Sequence, residues 1–303
     1  MKHLLKLLDL DKQRIVQLLD LADKLKKQQK AGVKHRLLEG KTLGMIFEKS
    51  STRTRVSFEV GMYQLGGYAL FLSSNDLQIG RGEPIEDTAR NLSRYLDGVM
   101  IRTFAHKIVE DFAKYGTIPV INGLTDTYHP CQVLADLQNI REYKGRLEGL
   151  KLAFFGDGSD NMANSLIVGG LKTGMSVVVA SPKSLKPADE VLRFAKGKDF
   201  TLTEDVFEAA KDADILVTDV WASMGQEAEA EARRKLLTPY QLNSKLAGYA
   251  KKDALVQHCL PAKRGQEITA ELFEAHAKEI FDEAENRLHA QKAVLVTLMG
   301  NGG

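Results

Sequence analysis

The sequence predicts an α/β protein of two doubly wound domains, each with a central parallel sheet flanked by helices, and a long C-terminal helix. Three observations carry this reading. Short, nearly continuous apolar runs recur along the chain, as strands buried on both faces require. Segments with apolar residues at helical spacing alternate with those runs, the pattern of parallel sheets covered by crossover helices. The length of 303 residues suits two domains better than one.

Residues 4–29 repeat Leu and Ile at helical spacing and predict one or two amphipathic helices. A strand is expected over 41–47. A helix follows over 50–65, stopped by Gly66-Gly67. Residues 68–72 read as a strand and 73–83 as a polar loop. Pro84 suits a first helical position and opens a helix to about residue 96. Strands are expected at 98–102 and 118–121, with a helix between them. The second half continues with a strand at 151–155, a helix over 161–171, and strands at 175–180, 213–217 and 254–256. Polar residues 141–150 form a plausible hinge, and 283–298 a long final helix.

Composition narrows the classes. The chain is 44% hydrophobic and 27% charged, and 42 basic residues against 40 acidic give a net charge of +2. That balance argues against a general nucleic-acid or membrane partner, while leaving room for a local anion pocket. Cys131 and Cys259 are the two cysteines. They make neither a disulfide framework nor a Cys-x-x-Cys metal pair. The charged start Met1-Lys2-His3 does not resemble a signal peptide, and no apolar run approaches the ~20 residues of a membrane span. A cytoplasmic location is expected.

Six segments could carry chemistry, and all fall at predicted strand ends or adjoining helix starts, where open α/β sheets bind ligands. Ser50-Ser51-Thr52-Arg53-Thr54-Arg55 joins a strand to a helix. Unpaired backbone N–H groups, hydroxyls and two guanidiniums there suit a phosphate, or make a Ser/Thr cap followed by surface arginines. Arg102 ends a strand. His129-Pro130-Cys131-Gln132 opens a helix, and His129 and Gln132 could both face a crevice. Gly156-Asp157-Gly158 follows a strand, but Asn161 stands where a dinucleotide fingerprint needs its third glycine. Asn161 is a helix cap or a donor to a carboxylate. Asp219, with the loop Ser223-Met224-Gly225, suits an ammonium group and a closing lid, or is an ordinary strand-to-helix loop. His258-Cys259 invites a base–nucleophile reading, yet adjacent residues in extended chain point apart.

Taken together, the Ser-Thr-Arg-Thr-Arg, His-Pro-x-Gln, Asp-x-x-x-Ser-Met-Gly and His-Cys-Leu-Pro motifs resemble those of the transcarbamoylase family. The resemblance runs from Leu4-Leu5-Lys6 to Glu285-Asn286-Arg287. It implies transfer of a carbamoyl group from carbamoyl phosphate to an amine. Cys259 stands where the aspartate-using branch carries the first proline of His-Pro-Leu-Pro-Arg, so the resemblance points to ornithine. Putrescine lacks the carboxylate that Ser223 and Met224 would serve. Rivals from other classes are a dinucleotide-dependent dehydrogenase and a non-catalytic binder of phosphorylated metabolites.

By that resemblance Ser51, Thr52, Arg53 and Thr54 hold the phosphate, Arg102 bridges phosphate and carbonyl oxygen, and His129 donates to that oxygen. Gln132 holds the carbamoyl amide. Gln78 reaches a neighbouring subunit's site. Asn161, Asp219, Ser223 and Met224 hold the α-groups of ornithine. Cys259 and Leu260 lie beside the reacting amine, and Arg287 is a further site arginine. Arg102, His129 and Cys259 are the catalytic candidates. No metal and no cofactor are implied. The resemblance further implies a carbamoyl phosphate domain over 1–145, an ornithine domain over 146–284, and a C-terminal helix, 285–303, packing back on the first domain. Domain closure over the substrates, arginine metabolism and a homotrimer with shared sites complete the expectation.

Overall fold

In the computed structural model, which describes residues 1–78, 82–221 and 230–300, the chain divides into two compact units. One comprises Met1–Ala135 with Asn286–Gly303, the other Asp136–Glu285.

The first unit holds four parallel strands: β1 (Thr42–Phe47), β2 (Tyr68–Ser73), β3 (Gly98–Arg102) and β4 (Val120–Leu124), in the order β2-β1-β3-β4. The apolar β1 and β3 lie centrally and are almost wholly buried. β2 is an edge strand and only half-buried. At the other edge Leu4 bridges Ile121, donating to the Val120 carbonyl at 2.8 Å and accepting from Asn122 N–H at 2.8 Å. Chain order reverses between β1 and β3, which places the ligand crevice of such a sheet at their carboxyl ends.

Helix α1 (Lys12–Lys30) precedes β1, helices α2 (Thr52–Gln64), α3 (Ile85–Leu92) and α4 (His106–Tyr115) connect the four strands, and the start of α5 (Pro130–Lys144) follows. Asp11 caps α1 by accepting from Arg14 N–H at 2.7 Å. The last turns of α12 (Ala277–Met299) pack here too: Ala293 joins Ala22 and Leu25 in one apolar cluster. This is the expected return of the C-terminal helix to the first unit.

The second unit holds β5 (Lys151–Phe155), β6 (Ser176–Ala180), β7 (Phe200–Thr203), β8 (Ile215–Thr218) and β9 (Leu255–His258), all parallel, in the order β7-β6-β5-β8-β9. Its switch point lies between β5 and β8. Around them run α6 (Asn161–Lys172), α7 (Asp189–Ala195), α8 (Val206–Ala210), α9 (Ala230–Leu237), α10 (Ser244–Ala247) and α11 (Ala270–Ala275). A core of Phe155, Leu216, Trp221, Val256, Phe273 and their neighbours fills the interior. Each such large side chain contributes about 1.5–3 kcal/mol by leaving water. Among the described residues no helix is long and apolar enough to cross a membrane.

Several boundaries differ from the sequence expectation for physical reasons. β4 starts at Val120 rather than at 118 because Pro119 lacks an N–H for the ladder. α3 stops at Leu92; Ser93 then folds its hydroxyl back onto the Ala89 carbonyl at 2.6 Å. The last helix begins at Ala277, before residue 283. Its first turns turn two carboxylates inward: Glu279 accepts from Val256 N–H at 3.1 Å and Glu283 from His258 N–H at 3.0 Å. Those glutamates satisfy the exposed edge of β9 and break the apolar period that reveals a helix in sequence. β7 is not among the expected strands: its Phe-Thr-Leu-Thr is short, half-exposed and at the sheet edge, and lacks the continuous apolar run of the buried strands.

Candidate active site

The first unit builds a cationic crevice. Ser51 caps α2, its oxygen accepting from Thr54 N–H at 3.2 Å. The cap orients the first turn, with Thr52 exposed, Arg53 half-buried and Thr54 buried. Arg55 is not part of the crevice: it pairs with Glu59 at 3.0 Å and stacks 3.9 Å from the Phe71 ring centre. Thus the cap reading of Ser51 holds, while one of the two arginines is a surface residue.

Arg102 closes β3, where the register against β4 shifts between Ile101 and Arg102. Gly123 is the extra residue, and a Cβ there would lie 2.3 Å from the Met100 sulfur, which would have to move to admit a side chain. On the next loop the Tyr128 carbonyl accepts from Thr125 N–H at 2.9 Å and Asn122 Nδ2 at 3.3 Å. This fixes the approach to α5, whose first bonds run to the His129 carbonyl. Arg287 of α12 donates from Nη1 to Gln132 Oε1 at 2.6 Å, from Nη2 to Thr54 Oγ1 at 3.1 Å and from Nε to Gln291 Oε1 at 3.0 Å.

His129 is buried, and its pKa lies well below 6.5. Burial is the main cause, followed by the charges of Arg287, Arg102 and Arg53. The imidazole is therefore neutral near pH 7, able to donate from one nitrogen. A histidine with lowered folded pKa binds fewer protons than the unfolded chain below pH 6.5, so it destabilises the fold as pH drops through that value. His129→Gln should therefore lose less Tm than wild type between pH 7.5 and 5. An equal acid loss in both proteins would contradict this account.

Gln78 stands exposed after β2, with its carbonyl accepting from Glu83 N–H at 3.0 Å. It belongs to none of the bonds above. Ser223 and Met224 lie outside the described residues.

The second unit gathers acids around a thiol. At the end of β5, Gly156 has φ +134°, a conformation for glycine. Asp157 then accepts from Ser159 N–H at 2.9 Å and pairs with Arg233, whose Nε donates to the Trp221 carbonyl at 2.9 Å. Asp160 caps α6 by accepting from Met162 N–H at 2.7 Å. Asn161 is therefore the first helical residue and not the cap. Asn164 is spent on the Ser159 carbonyl and Ala188 N–H.

Cys259 Sγ donates to Asp219 Oδ1 at 3.0 Å. The thiol pKa is raised well above 9.0 by burial, then by Asp219, Glu283 and Asp136. Burial also raises the pKa of the Asp219 carboxyl. The thiol remains protonated, which removes the thiolate nucleophile. His258 does not serve it: Nδ1 accepts from Leu260 N–H at 2.9 Å and Nε2 lies 3.1 Å from Glu267 Oε1. That pair is wholly buried and holds Leu260 at φ +59°, a strained value for a leucine. Asp219, His258 and Cys259 bring possible metal-ligand atoms within 4.8 Å of one another. A cation bound through His258 would break one of its two bonds.

Sequence reasoning missed Glu267, Glu283, Gln291 and Arg233. None sits in a recognisable motif, and Arg233 and Glu283 lie far in sequence from the groups they hold.

The first unit thus gathers three arginines with hydroxyls and a neutral histidine, and the second a thiol among carboxylates. Groups of these kinds suit an oxyanion and an amine, the pair of charged substrates that a group transferase joins. The chain belongs to the aspartate/ornithine carbamoyltransferase family. Residues 2–142 match its carbamoyl-P binding domain and residues 148–298 its Asp/Orn binding domain. An ornithine carbamoyltransferase of Thermococcus kodakarensis is 54% identical over 305 residues, covering 99% of this chain and 96% of that one. One from Pyrococcus furiosus, named as anabolic, is 53% identical with the same coverage. The solved ornithine carbamoyltransferase of Pyrococcus furiosus superposes with a TM-score of 0.95 at 52% identity, over 100% of this chain and 98% of that one. A mitochondrial ornithine carbamoyltransferase of Coccidioides immitis gives 0.87 at 32%, over 98% and 97%.

Proposed function

We propose that this enzyme transfers the carbamoyl group of carbamoyl phosphate to the side-chain amine of L-ornithine, giving L-citrulline and phosphate. The observation that carries the reading is the guanidinium of Arg287, bonded to Thr54 and Gln132 beside neutral His129. We assign the first unit to carbamoyl phosphate and the second to ornithine.

Ser51, Thr52, Arg53 and Thr54 would receive the phosphate at the N-terminus of α2, where unpaired N–H groups and the helix dipole favour an anion. An amide oxygen has two lone pairs, so Gln132 can accept from Arg287 and from the carbamoyl N–H together. The amine nitrogen attacks the carbonyl carbon, and the carbonyl oxygen gains negative charge. Arg102, Thr54 and His129 stabilise that charge. The bond from carbon to the phosphate oxygen then breaks, and the leaving phosphate takes the proton lost by the amine.

In the second unit Asp219 and Asn161 would hold the α-groups of ornithine together with Ser223 and Met224. Cys259 orients the amine as a thiol, and Leu260 is held in place by His258. Alkyl amines have pKa near 10.4, so little is neutral at pH 7. The acids near Cys259 favour capture of the cation, and the arginines of the carbamoyl phosphate site favour its neutral form.

Parallel assays with ornithine, putrescine, aspartate and N-acetylornithine test the reading through phosphate release and ureido product. Citrulline from ornithine alone is expected. Turnover of putrescine instead would overturn the assignment of Asp219, Ser223 and Met224.

We also propose a homotrimer in which Gln78 reaches a neighbouring site. Supporting this, Val56 (50% exposed), Val60 (37%) and Tyr63 (81%) form an apolar stripe on α2, beside Tyr68 (66%) on the edge strand β2. Tyr63→Glu should shift the particle toward monomer in light scattering and lower activity at dilute protein. Unchanged mass would reject this face. Two free thiols suit a reducing cytoplasm, and the anabolic Pyrococcus furiosus relative supports a place in arginine biosynthesis.

A further inference from the structure

We infer that Gln291 is a positioning residue for carbamoyl phosphate, clasping Arg287 to the first turn of α2; this rests on the proposed role of that turn and of Arg287. Gln291 is fully buried in α12, one turn after Arg287. Its oxygen accepts from Arg287 Nε at 3.0 Å, and its Nε2 donates to Ser57 Oγ at 3.0 Å. Ser57 in turn donates to the Arg53 carbonyl at 2.5 Å.

The clasp therefore has two ends. One settles the rotation of the guanidinium. With Nε committed to Gln291, the planar fork must direct Nη1 and Nη2 together, toward Gln132 and Thr54. The other end restrains the peptide of Arg53, in the turn that presents Thr52, Arg53 and Thr54. A glutamine fits both demands because one amide supplies an acceptor and a donor. An apolar side chain of equal length fills the space and supplies neither. Gln291 touches no substrate in this account and acts through Arg287 and Ser57.

Gln291→Met tests the assignment in the full-length enzyme. KM for carbamoyl phosphate and the Kd for inorganic phosphate should each rise about tenfold, the scale of a lost hydrogen bond to a charged group. KM for ornithine should stay within twofold. On an Arg287→Met background the same change should add no more than the roughly threefold carried by the Ser57 end, because the rest of its effect passes through that arginine. Ser57→Ala, a milder cut at the other end, should raise the phosphate Kd about threefold and serves if Gln291→Met does not fold. Unchanged phosphate affinity in the folded variants, an equal rise in both substrates' KM, or full additivity with Arg287→Met would overturn the role. Phosphate binding is read without any amine, so a failure of the ornithine reading leaves this measurement intact.

Discussion

Arg102→Leu is expected to lower kcat/KM for carbamoyl phosphate by about 10²–10³-fold, the loss found when one preorganised oxyanion donor is removed. The guanidinium is half-buried at the end of β3, aimed by the register shift at Gly123. It acts on His129 strongly enough to help depress that imidazole. A fixed charge in such a place stabilises an oxygen that turns negative without any reorganisation, which water cannot match. Removing one of three arginines around a neutral histidine also relieves repulsion between like charges. The variant should fold and keep its secondary structure while activity collapses. His129 should titrate at higher pH in the variant, visible by NMR of the imidazole. Arg102→Lys should recover part of the rate, since it restores charge but not the fork. A loss below tenfold with Leu would take Arg102 out of the reaction and leave the charge stabilisation to Thr54 and His129.

The elements most legible in the sequence were those whose burial is purely apolar. β3 and β5 are found at the residues expected, since Gly98-Val99-Met100-Ile101 and Leu152-Ala153-Phe154-Phe155 are uniformly buried. The candidate residues Ser51, Arg102, His129, Asn161 and Cys259 fall at strand ends and helix starts, so their places in the fold could be read without any contact being known. Their surroundings could not. Nothing near His258 announces that Glu267 will take its Nε2, or that Glu283 will reach back from α12 to its N–H. Such bonds join residues distant in sequence, and glutamates in a helix read as solvent-facing until a strand edge is placed beneath them.

The same gap explains the readings that the structure changed. Ser51 and Asn161 both precede or open helices, and either could have been the cap. The hydroxyl of Ser51 took that role, while Asp160 relieved Asn161 of it. Arg55 follows Arg53 by two residues, which on a helix places them about 200° apart. One therefore stays near the crevice while the other meets Glu59 and Phe71. The periodicity needed for that distinction is present in the sequence, but it becomes decisive only once the start of α2 is known to within a residue.

Lys292→Met is expected to remove about 3 kcal/mol of pH-dependent stability between pH 7 and pH 10.5. Lys292 lies on α12 with no exposed surface. Its ammonium has only neutral acceptors among its hydrogen bonds, His35 Nε2 at 3.1 Å and Gln64 Oε1 at 2.8 Å. Burial lowers its pKa from 10.5 to about 8. Between those values the unfolded chain binds the proton and the folded one does not, so stability rises with pH across the window. Below pH 8 both states are protonated, and the whole penalty of a buried, unpaired charge is present. Methionine keeps the length of the stem beside Gly61 and carries no charge, so the penalty vanishes. Against it stand the donors withdrawn from His35 and Gln64, worth about 1–3 kcal/mol at every pH. The difference between variant and wild type, measured by urea unfolding at successive pH values, separates the two contributions. It should move in favour of the variant by about 3 kcal/mol as pH falls from 10.5 to 7, and a flat difference would show that Lys292 enters the folded state with its ordinary affinity for the proton.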